Sequence, residues 1–258
     1  MKIVVAIKQI LDPSGFTVNR KRERIFVNRE EYIINPADLN ALELALHLKD
    51  DHEDVEVIGL SLGPPRGDDA LREAIARGAD QGVLISGPAL ADLKPDAAGA
   101  ARLLGAAVEK IGAVSLVVCG VRALDSVAGE LPARLTEVLG WPMLSEITTV
   151  DRVGNGMVRG SQSALQLEAD LPALLTVPRD ANQSRHIYGA RVMNAYAEGL
   201  VVTWGLSDLG FGFDELEALT HVTGRRFPPE RSLGTRLEGP LDETIKSLVA
   251  QLRAQELI

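Results

Sequence analysis

Four short segments carry residue types that can hold a phosphorylated ligand: Ala6 to Gln9, Asn35 to Asp38, Ser61 to Pro64 and Gly120 to Ala133. Three of the four contain glycine or open a helical pattern, so they offer an anion backbone N–H groups that lack intrahelical partners. The stretch Gly120-Val-Arg-Ala-Leu-Asp125-Ser-Val-Ala-Gly129 is the most informative, with two glycines, a carboxylate and small residues just ahead of a helix. Each also has a plain structural reading: Asn35 as a helix cap, Asp125 as a turn former, Gly63-Pro64 as punctuation. Their convergence on one edge favours a ligand site, because an open α/β sheet binds ligands beyond the carboxyl ends of its strands.

The elements that would position these segments are legible in the hydrophobic pattern. Lys2-Ile-Val-Val-Ala-Ile-Lys8 is β-branched and nearly continuous in apolar character, as suits a parallel strand covered on both faces. Asn19-Arg-Lys-Arg-Glu-Arg24 then reads as a solvated hairpin or loop. Asn35-Pro36 opens a helix with Leu39, Leu42, Leu46 and Ala41, Leu44, Leu48 on a broad apolar face. Val55 to Leu62, Gly82 to Ser86 and Val114 to Cys119 read as further strands. Helical patterns follow them at Asp69 to Arg77, Ala97 to Ile111 and Leu131 to Leu139, two of them closed by Gly78 and Gly140. Strands alternating with helices of this length imply right-handed crossovers and a doubly wound, mostly parallel sheet.

Beyond Trp141-Pro142 the pattern changes. Glu146 to Val153 and Met157 to Ser163 flank Gly154-Asn155-Gly156, the turn chemistry of an antiparallel hairpin. A strand follows at Ala173 to Val177, then a polar, irregular stretch from Arg179 to Arg191, with turn signals at Asp208 to Gly212 and Arg225 to Pro229. Leu241 to Leu257 is an amphipathic helix with Leu241, Ile245, Leu248, Val249 and Leu252 on one stripe. It either folds back on its own sheet or reaches onto another chain. The expected division is an α/β domain over 1–220 and a terminal arm over 221–258.

Composition removes whole classes of function. Of 258 residues, 36 are acidic and 27 basic, and the formal charge of −9 argues against nucleic acid or an anionic membrane as a main partner. One cysteine allows no internal disulfide, and Cys119 reads as an inert core thiol. No apolar run approaches the roughly 18 residues that membrane insertion requires. No P-loop, no G-x-G-x-x-G and no G-x-S-x-G is present, and the four histidines are scattered without ligand spacing. The pattern is that of a nucleotide holder without catalytic machinery. Ten aromatics are few for the length.

The ordered motifs resemble those of the β subunit of electron transfer flavoproteins, including bacterial relatives in nitrogen-fixation and flavin-bifurcation systems. The similarity covers nearly the whole chain. It runs through Val4-Val-Ala-Ile-Lys8, Asn35-Pro36, Val57-Ile-Gly-Leu-Ser-Leu-Gly-Pro64, Leu71-Arg-Glu-Ala-Ile-Ala-Arg-Gly-Ala-Asp80 and Gly120-x-x-Ala123-x-Asp125. It continues through Leu139-Gly-Trp-Pro142, Leu171-Pro-Ala-Leu-Leu-Thr176, Asn182 to Arg185, Met193 and Asp208-Leu-Gly210. The resemblance implies a Rossmann-like electron-carrier subunit, not an enzyme, that pairs with a flavin-binding α subunit as a heterodimer. FAD would sit at the interface, and this chain would hold AMP or, in bifurcating members, a second FAD. Electrons would arrive from dehydrogenases and leave to an acceptor such as a quinone reductase, in a bacterial cytoplasm.

Carried over by position, nucleotide contacts would come from Ala6, Asn35, Pro36, Ala37, Asp38, Leu62 and Gly120. Ala123 and Asp125 would hold the adenosine, and the backbone of Gly129, Glu130 and Leu131 the phosphate. Partner recognition would fall to the loop from Asn182 to Met193, including Arg185 and Gly189, and the arm would clasp the partner. The chain departs from the family pattern at Gly129-Glu130-Leu131-Pro132, where ordinary members read Asn-Gln-Thr-Gly, so side-chain phosphate donors are missing. Gly189 stands where many members expose a leucine, and Asn194-Ala-Tyr-Ala-Glu-Gly199 replaces a lysine-rich run. The aromatic position near the flavin is Pro13, with Phe16 close by. The scarcity of aromatics then fits a flavin held mainly by the other subunit. A stand-alone adenine-nucleotide sensor of the universal-stress type is the alternative; a nucleotide-processing enzyme would need the phosphate loop the chain lacks.

Overall fold

The computed structural model describes every residue except Lys94, Glu217, Val222, Arg225, residues 230–233, Thr235 and Ile258. The chain opens with β1 (Lys2–Ala6), then the short strands β2 (Gln9–Leu11), β3 (Phe16–Asn19), β4 (Arg24–Val27) and β5 (Tyr32–Ile34). Alternation follows: α1 (Pro36–Asp51), β6 (Glu56–Leu62), α2 (Gly67–Arg77), β7 (Gln81–Ile85), α3 (Pro88–Leu93), α4 (Ala97–Ile111), β8 (Val114–Gly120) and α5 (Leu131–Leu139). Next come β9 (Met143–Leu144), an antiparallel meander of β10 (Thr149–Gly154), β11 (Met157–Gln162) and β12 (Leu165–Asp170), and β13 (Ala173–Val177). The described chain closes with α6 (Gly189–Asn194), β14 (Val201–Trp204) and α7 (Leu241–Ala254).

Seven strands form the central sheet in the order β14-β7-β6-β1-β8-β13-β9, every pairing parallel. β1 pairs with β6 on one side and with β8 on the other, so the strand order reverses between β1 and β8. Neighbouring connections leave in opposite directions there and open a crevice. Both faces of the sheet are covered, which is why its strands read as continuous apolar runs. Ile3 and Val5 point into the layer that includes Leu42 and Leu46 of α1 and Leu71 of α2. Val4 and Ala6 point into the opposite layer, with Leu103 and Leu104 of α4 and Leu135 of α5.

The basic cluster lies on a solvent-exposed hairpin of β3 and β4, and the helices at Ala97 and Leu131 fall where the pattern placed them. Several short elements escape the sequence pattern, among them β12, β14 and α3. β14 is only four residues long, and β12 alternates but buries little. α3 is a six-residue turn of helix. The 3-10 turn at Ser207–Leu209 closes at Gly210 with φ of +76°, as the turn signals there require. The matching signal at Arg225 to Pro229 begins on a residue outside the described set, and the last residue of the proposed arm, Ile258, is likewise outside it.

The terminal helix ends at Ala254, before Leu257, and buries none of its residues. Leu241 is 73% exposed, Ile245 49% and Leu248 46%, so the apolar stripe does not fold back on the sheet. Among the described residues, no helix is long and apolar enough to cross a membrane.

Candidate functional site

A cleft of about 750 Å³ opens at the carboxyl ends of β1, β6 and β8, over the reversal of strand order. Its size falls within the range of about 300–1,000 Å³ common for small-ligand sites. Ala6, Leu60 and Leu62 form an apolar floor at the strand ends, and the segment from Arg122 to Pro132 forms one wall. The opposite wall comes from Gly63 to Pro65, from Gly87 to Ala91 and from Pro95 to Ala100.

The tips of β1 and β8 are joined by one buried carboxylate. Asp38, in the first turn of α1, is 6% exposed. Its Oδ2 accepts the Lys8 N–H at 2.8 Å, and its Oδ1 accepts the Gly120 N–H at 3.2 Å and the Asn35 amide at 3.0 Å. Burial raises its pKa to about 7 against the opposing pull of these three bonds and of the Lys8 charge. Asn35 is fully buried and does not cap its helix with its side chain. Instead its amide donates to the Arg122 carbonyl at 3.1 Å, and its Oδ1 accepts the Leu124 N–H at 3.2 Å. Asn35 does hold the N-cap position of α1, its carbonyl accepting the Asp38 and Leu39 N–H groups, but its side-chain amide reaches across to the Gly120 loop instead of capping. Gly120 is required by packing, since a Cβ there would lie 2.5 Å from Asp38 Oδ1 and 2.6 Å from the Ala37 methyl. Cys119 beside it is buried, and burial followed by the Asp38 charge drives its thiol far above the usual range, as an inert core thiol requires.

Beyond Gly120 the wall turns toward α5. Asp125 pairs with the Lys8 ammonium at 2.6 Å, tying the loop to the end of β1. Gly129 has φ of +67°, a backbone conformation that favours glycine. Among the described residues, the N–H groups of Ala128, Gly129, Glu130 and Leu131 donate to no protein acceptor. They lead directly into the N-terminus of α5, so they suit an anion. Glu130 lines the cleft as well, but its carboxylate is tied to Arg134 at 2.9 Å, which offsets its repulsion of phosphate.

The far wall was foreseen at Gly63-Pro64 but not at Asp96. Asp96 caps α4 through Oδ1, accepting the N–H groups of Ala98 and Gly99. Its Oδ2 accepts the N–H groups of Leu219 and Thr220 and the Thr220 hydroxyl, all within 3.0 Å. Burial opposes its ionisation, but these hydrogen bonds outweigh burial and hold its pKa below the usual carboxylate value. Thr220 thereby lines the cleft next to the start of the arm. The signal available in sequence was Asp96-Ala-Ala-Gly99, an N-cap pattern; its second set of partners lies more than 120 residues away.

Of the expected nucleotide contacts, Ala6, Asp38, Leu62, Gly120, Ala123, Gly129, Glu130 and Leu131 line this cleft together. Asn35, Pro36 and Ala37 lie behind it, and Asp125 reaches it through Lys8. Phe16 stands apart on the β3–β4 hairpin, half-buried. The expected recognition loop divides in two. Asn182 exchanges hydrogen bonds with Asn40 on α1, and Arg185 binds Glu43 at 2.9 Å and Asp50 at 2.8 Å, so both anchor the loop's base. Gly189 and Met193 are exposed on α6, Met193 by 77%, and Tyr188 and Tyr196 beside them are also exposed. Arg72 supports this segment from α2, bonding the Ala195 carbonyl and stacking on Tyr196.

The residues present fit an adenine nucleotide. The apolar floor can take a planar base, and free N–H groups beside a helix start can take a phosphate. Each carboxylate lining the cleft among the described residues is bonded within the chain. Among the described residues, no cluster of histidine, cysteine or carboxylate side chains suits a metal ion.

Comparison with known proteins gives a consistent answer. The sequence profile described as "Electron transfer flavoprotein domain" matches residues 24–201. The chain is 29% identical to the caffeyl-CoA reductase–Etf complex subunit CarD of Acetobacterium woodii, over the full length of both. It is 34% identical to protein FixA of Azorhizobium caulinodans, over 81% of this chain and 77% of that one. It is 27% identical to the electron transfer flavoprotein subunit beta of Homo sapiens, over 98% and 97%.

Proposed function

The chain belongs to the electron transfer flavoprotein family, and on that premise we propose that it is the β-type subunit of a heterodimeric electron carrier. The observation that carries the reading is the cleft at the β1/β8 reversal, where eight of the expected nucleotide contacts meet. Ala6 and Leu62 would support the base, Ala123 and Asp125 the adenosine, and the backbone of Gly129 to Leu131 the phosphate. The occupant is AMP or the adenylate part of a second FAD. An FAD held mainly by an α-type partner supplies the redox chemistry when bound; this chain positions, shields and docks.

The arm, from 221 onward, is the clasp on that partner. The exposed face of α7 supports this, because Leu241, Ile245 and Leu248 are 73%, 49% and 46% exposed. Asn182 and Arg185 would set the recognition loop, and Gly189 and Met193 would present it to a dehydrogenase that delivers electrons. A quinone reductase or comparable acceptor would receive them, in a bacterial cytoplasm. Phe16, on its hairpin, would approach the flavin from this side.

The test is to purify the full chain, denature it and identify the released nucleotide by chromatography and mass. AMP or FAD in near-equal amount to protein is the expected result. A chain that carries no adenine nucleotide and binds none on titration overturns the assignment of the cleft.

A further inference from the structure

The resemblance assigns Asn35 and Asp38 to direct nucleotide contact, but their hydrogen-bonding capacity is directed elsewhere. Both Asn35 amide hydrogens are used, one on Asp38 and one on the Arg122 carbonyl, and its oxygen takes the Leu124 N–H. Asn35 has no exposed surface from which to touch a ligand. Asp38 meets three donors: the N–H of Lys8 at the end of β1, the N–H of Gly120 at the end of β8, and the Asn35 amide. Together the pair links α1, β1, β8 and the first turn of the Gly120 loop through side chains alone. Gly120 packs so closely on Asp38 and Ala37 that there is no room for a side chain between them.

We propose that Asn35 and Asp38 are positioning residues, a clamp that holds Gly120 to Leu124 in the conformation that receives adenosine without bonding the ligand. The proposal rests on the reading of the cleft as an adenine-nucleotide site. Its chemistry makes the clamp sensitive to protonation. All three groups bonded to Asp38 are donors, so a proton on the carboxylate finds no acceptor among them and must displace one of them. Burial places that titration near neutrality, at about 7. The other charged or titratable groups facing Asp38 are the Lys8 ammonium, already paired with Asp125, and the Cys119 thiol, which burial keeps neutral. Adenosine therefore binds the ionised clamp better than the protonated one.

The experiment is calorimetric titration of the full chain with adenosine, which carries no ionisable phosphate, between pH 6 and pH 8.5. Wild-type affinity should rise with pH through neutrality and level off above it. Asp38→Asn replaces an acceptor with a donor toward the Lys8 N–H, and should bind about tenfold more weakly at pH 8 with no pH dependence. Asn35→Ala should weaken binding to a similar degree, although that side chain cannot reach the ligand. Full wild-type affinity in Asn35→Ala, or tighter binding in Asp38→Asn, overturns the clamp and leaves the cleft as an adenosine site. If the variants do not fold, the wild-type profile decides alone, and a flat profile overturns the proposal. If wild type binds neither adenosine nor AMP at any pH, the reading of the cleft falls with it.

Discussion

At the carboxyl edge of the sheet, polar groups are matched within the chain: Asp38 to three donors, Asp96 to five, Asp125 to Lys8 and Glu130 to Arg134. Among the described residues, the N–H groups of Ala128 to Leu131 have no acceptor within the chain, which suits a small anionic ligand. The terminal arm is the reverse case. Its helix has well-placed dipole charges, Asp242 and Glu243 at the start and Arg253 at the end, yet buries no residue. A helix this short draws most of its stability from the face it packs against a neighbour. One region has its carboxylates paired and leaves backbone N–H groups open; the other leaves an apolar helix face exposed. The two are joined at Asp96, which grips Leu219 and Thr220 just before the arm begins.

This contrast can be broken most severely at the arm. Removing residues 240–258 should weaken association with the flavin-bearing partner by about a hundredfold or more, since three buried Leu or Ile side chains contribute roughly 1.5–3 kcal/mol each. The thermal midpoint of the isolated chain and its affinity for AMP should not change. Heterodimers that survive the truncation in sedimentation experiments would show that α7 is no clasp.

Gly120→Ala is the matching strike on the cleft. The new methyl group must displace Asp38 or Ala37, at a cost of about 1–3 kcal/mol in chemical denaturation. AMP affinity should fall more than tenfold while partner association is retained. Equal damage to both activities would mean that the two regions are not separable.

Stability against pH sharpens the comparison further. Asp38 is raised from 3.8 to about 7 in the fold, so the native state holds a proton that the unfolded chain has released. Its stabilising contribution is complete below the unfolded value and is lost as pH rises through about 7, at no more than about 1.4 kcal/mol per unit. Asp38→Asn should flatten that part of the denaturation profile, while removal of the arm should leave it in place. Adenosine affinity and fold stability thus run in opposite directions with pH, because the ionised clamp binds well but is costly to bury. The smallest effect is expected at Glu130, whose pair with Arg134 is half-exposed. Glu130→Gln should change stability by less than about 0.5 kcal/mol. It should tighten AMP a few-fold, an effect that shrinks at high salt.

The sheet was readable because its strands are covered on both faces and so appear as unbroken apolar runs between glycine-punctuated helices. Gly78 and Gly140 mark helix ends that the structure keeps. Placing the strand ends placed most of the cleft, including Ala6, Leu62 and Gly120. What sequence could not show was the direction of side chains. An aspartate in the first turn of a helix, such as Asp38, reads as a partner for the helix dipole. Its actual partners lie 30 and 82 residues away in the chain. Nor could sequence show that Asn182 and Arg185 bond to α1, 142 residues away in the chain. Short elements with little burial, such as β12 and β14, lack a periodic signal strong enough to separate them from loop.

The central claim, that this chain completes a flavoprotein by binding an adenine nucleotide in its cleft and a partner along its arm, meets its most direct test in one preparation. The chain is co-expressed with the gene product encoded beside it, the complex is purified, and its visible spectrum is recorded. We expect a yellow heterodimer with flavin absorbance that is lost when residues 240–258 are deleted. A colourless chain that remains monomeric and binds AMP or ATP alone would contradict the claim and favour a stand-alone nucleotide sensor.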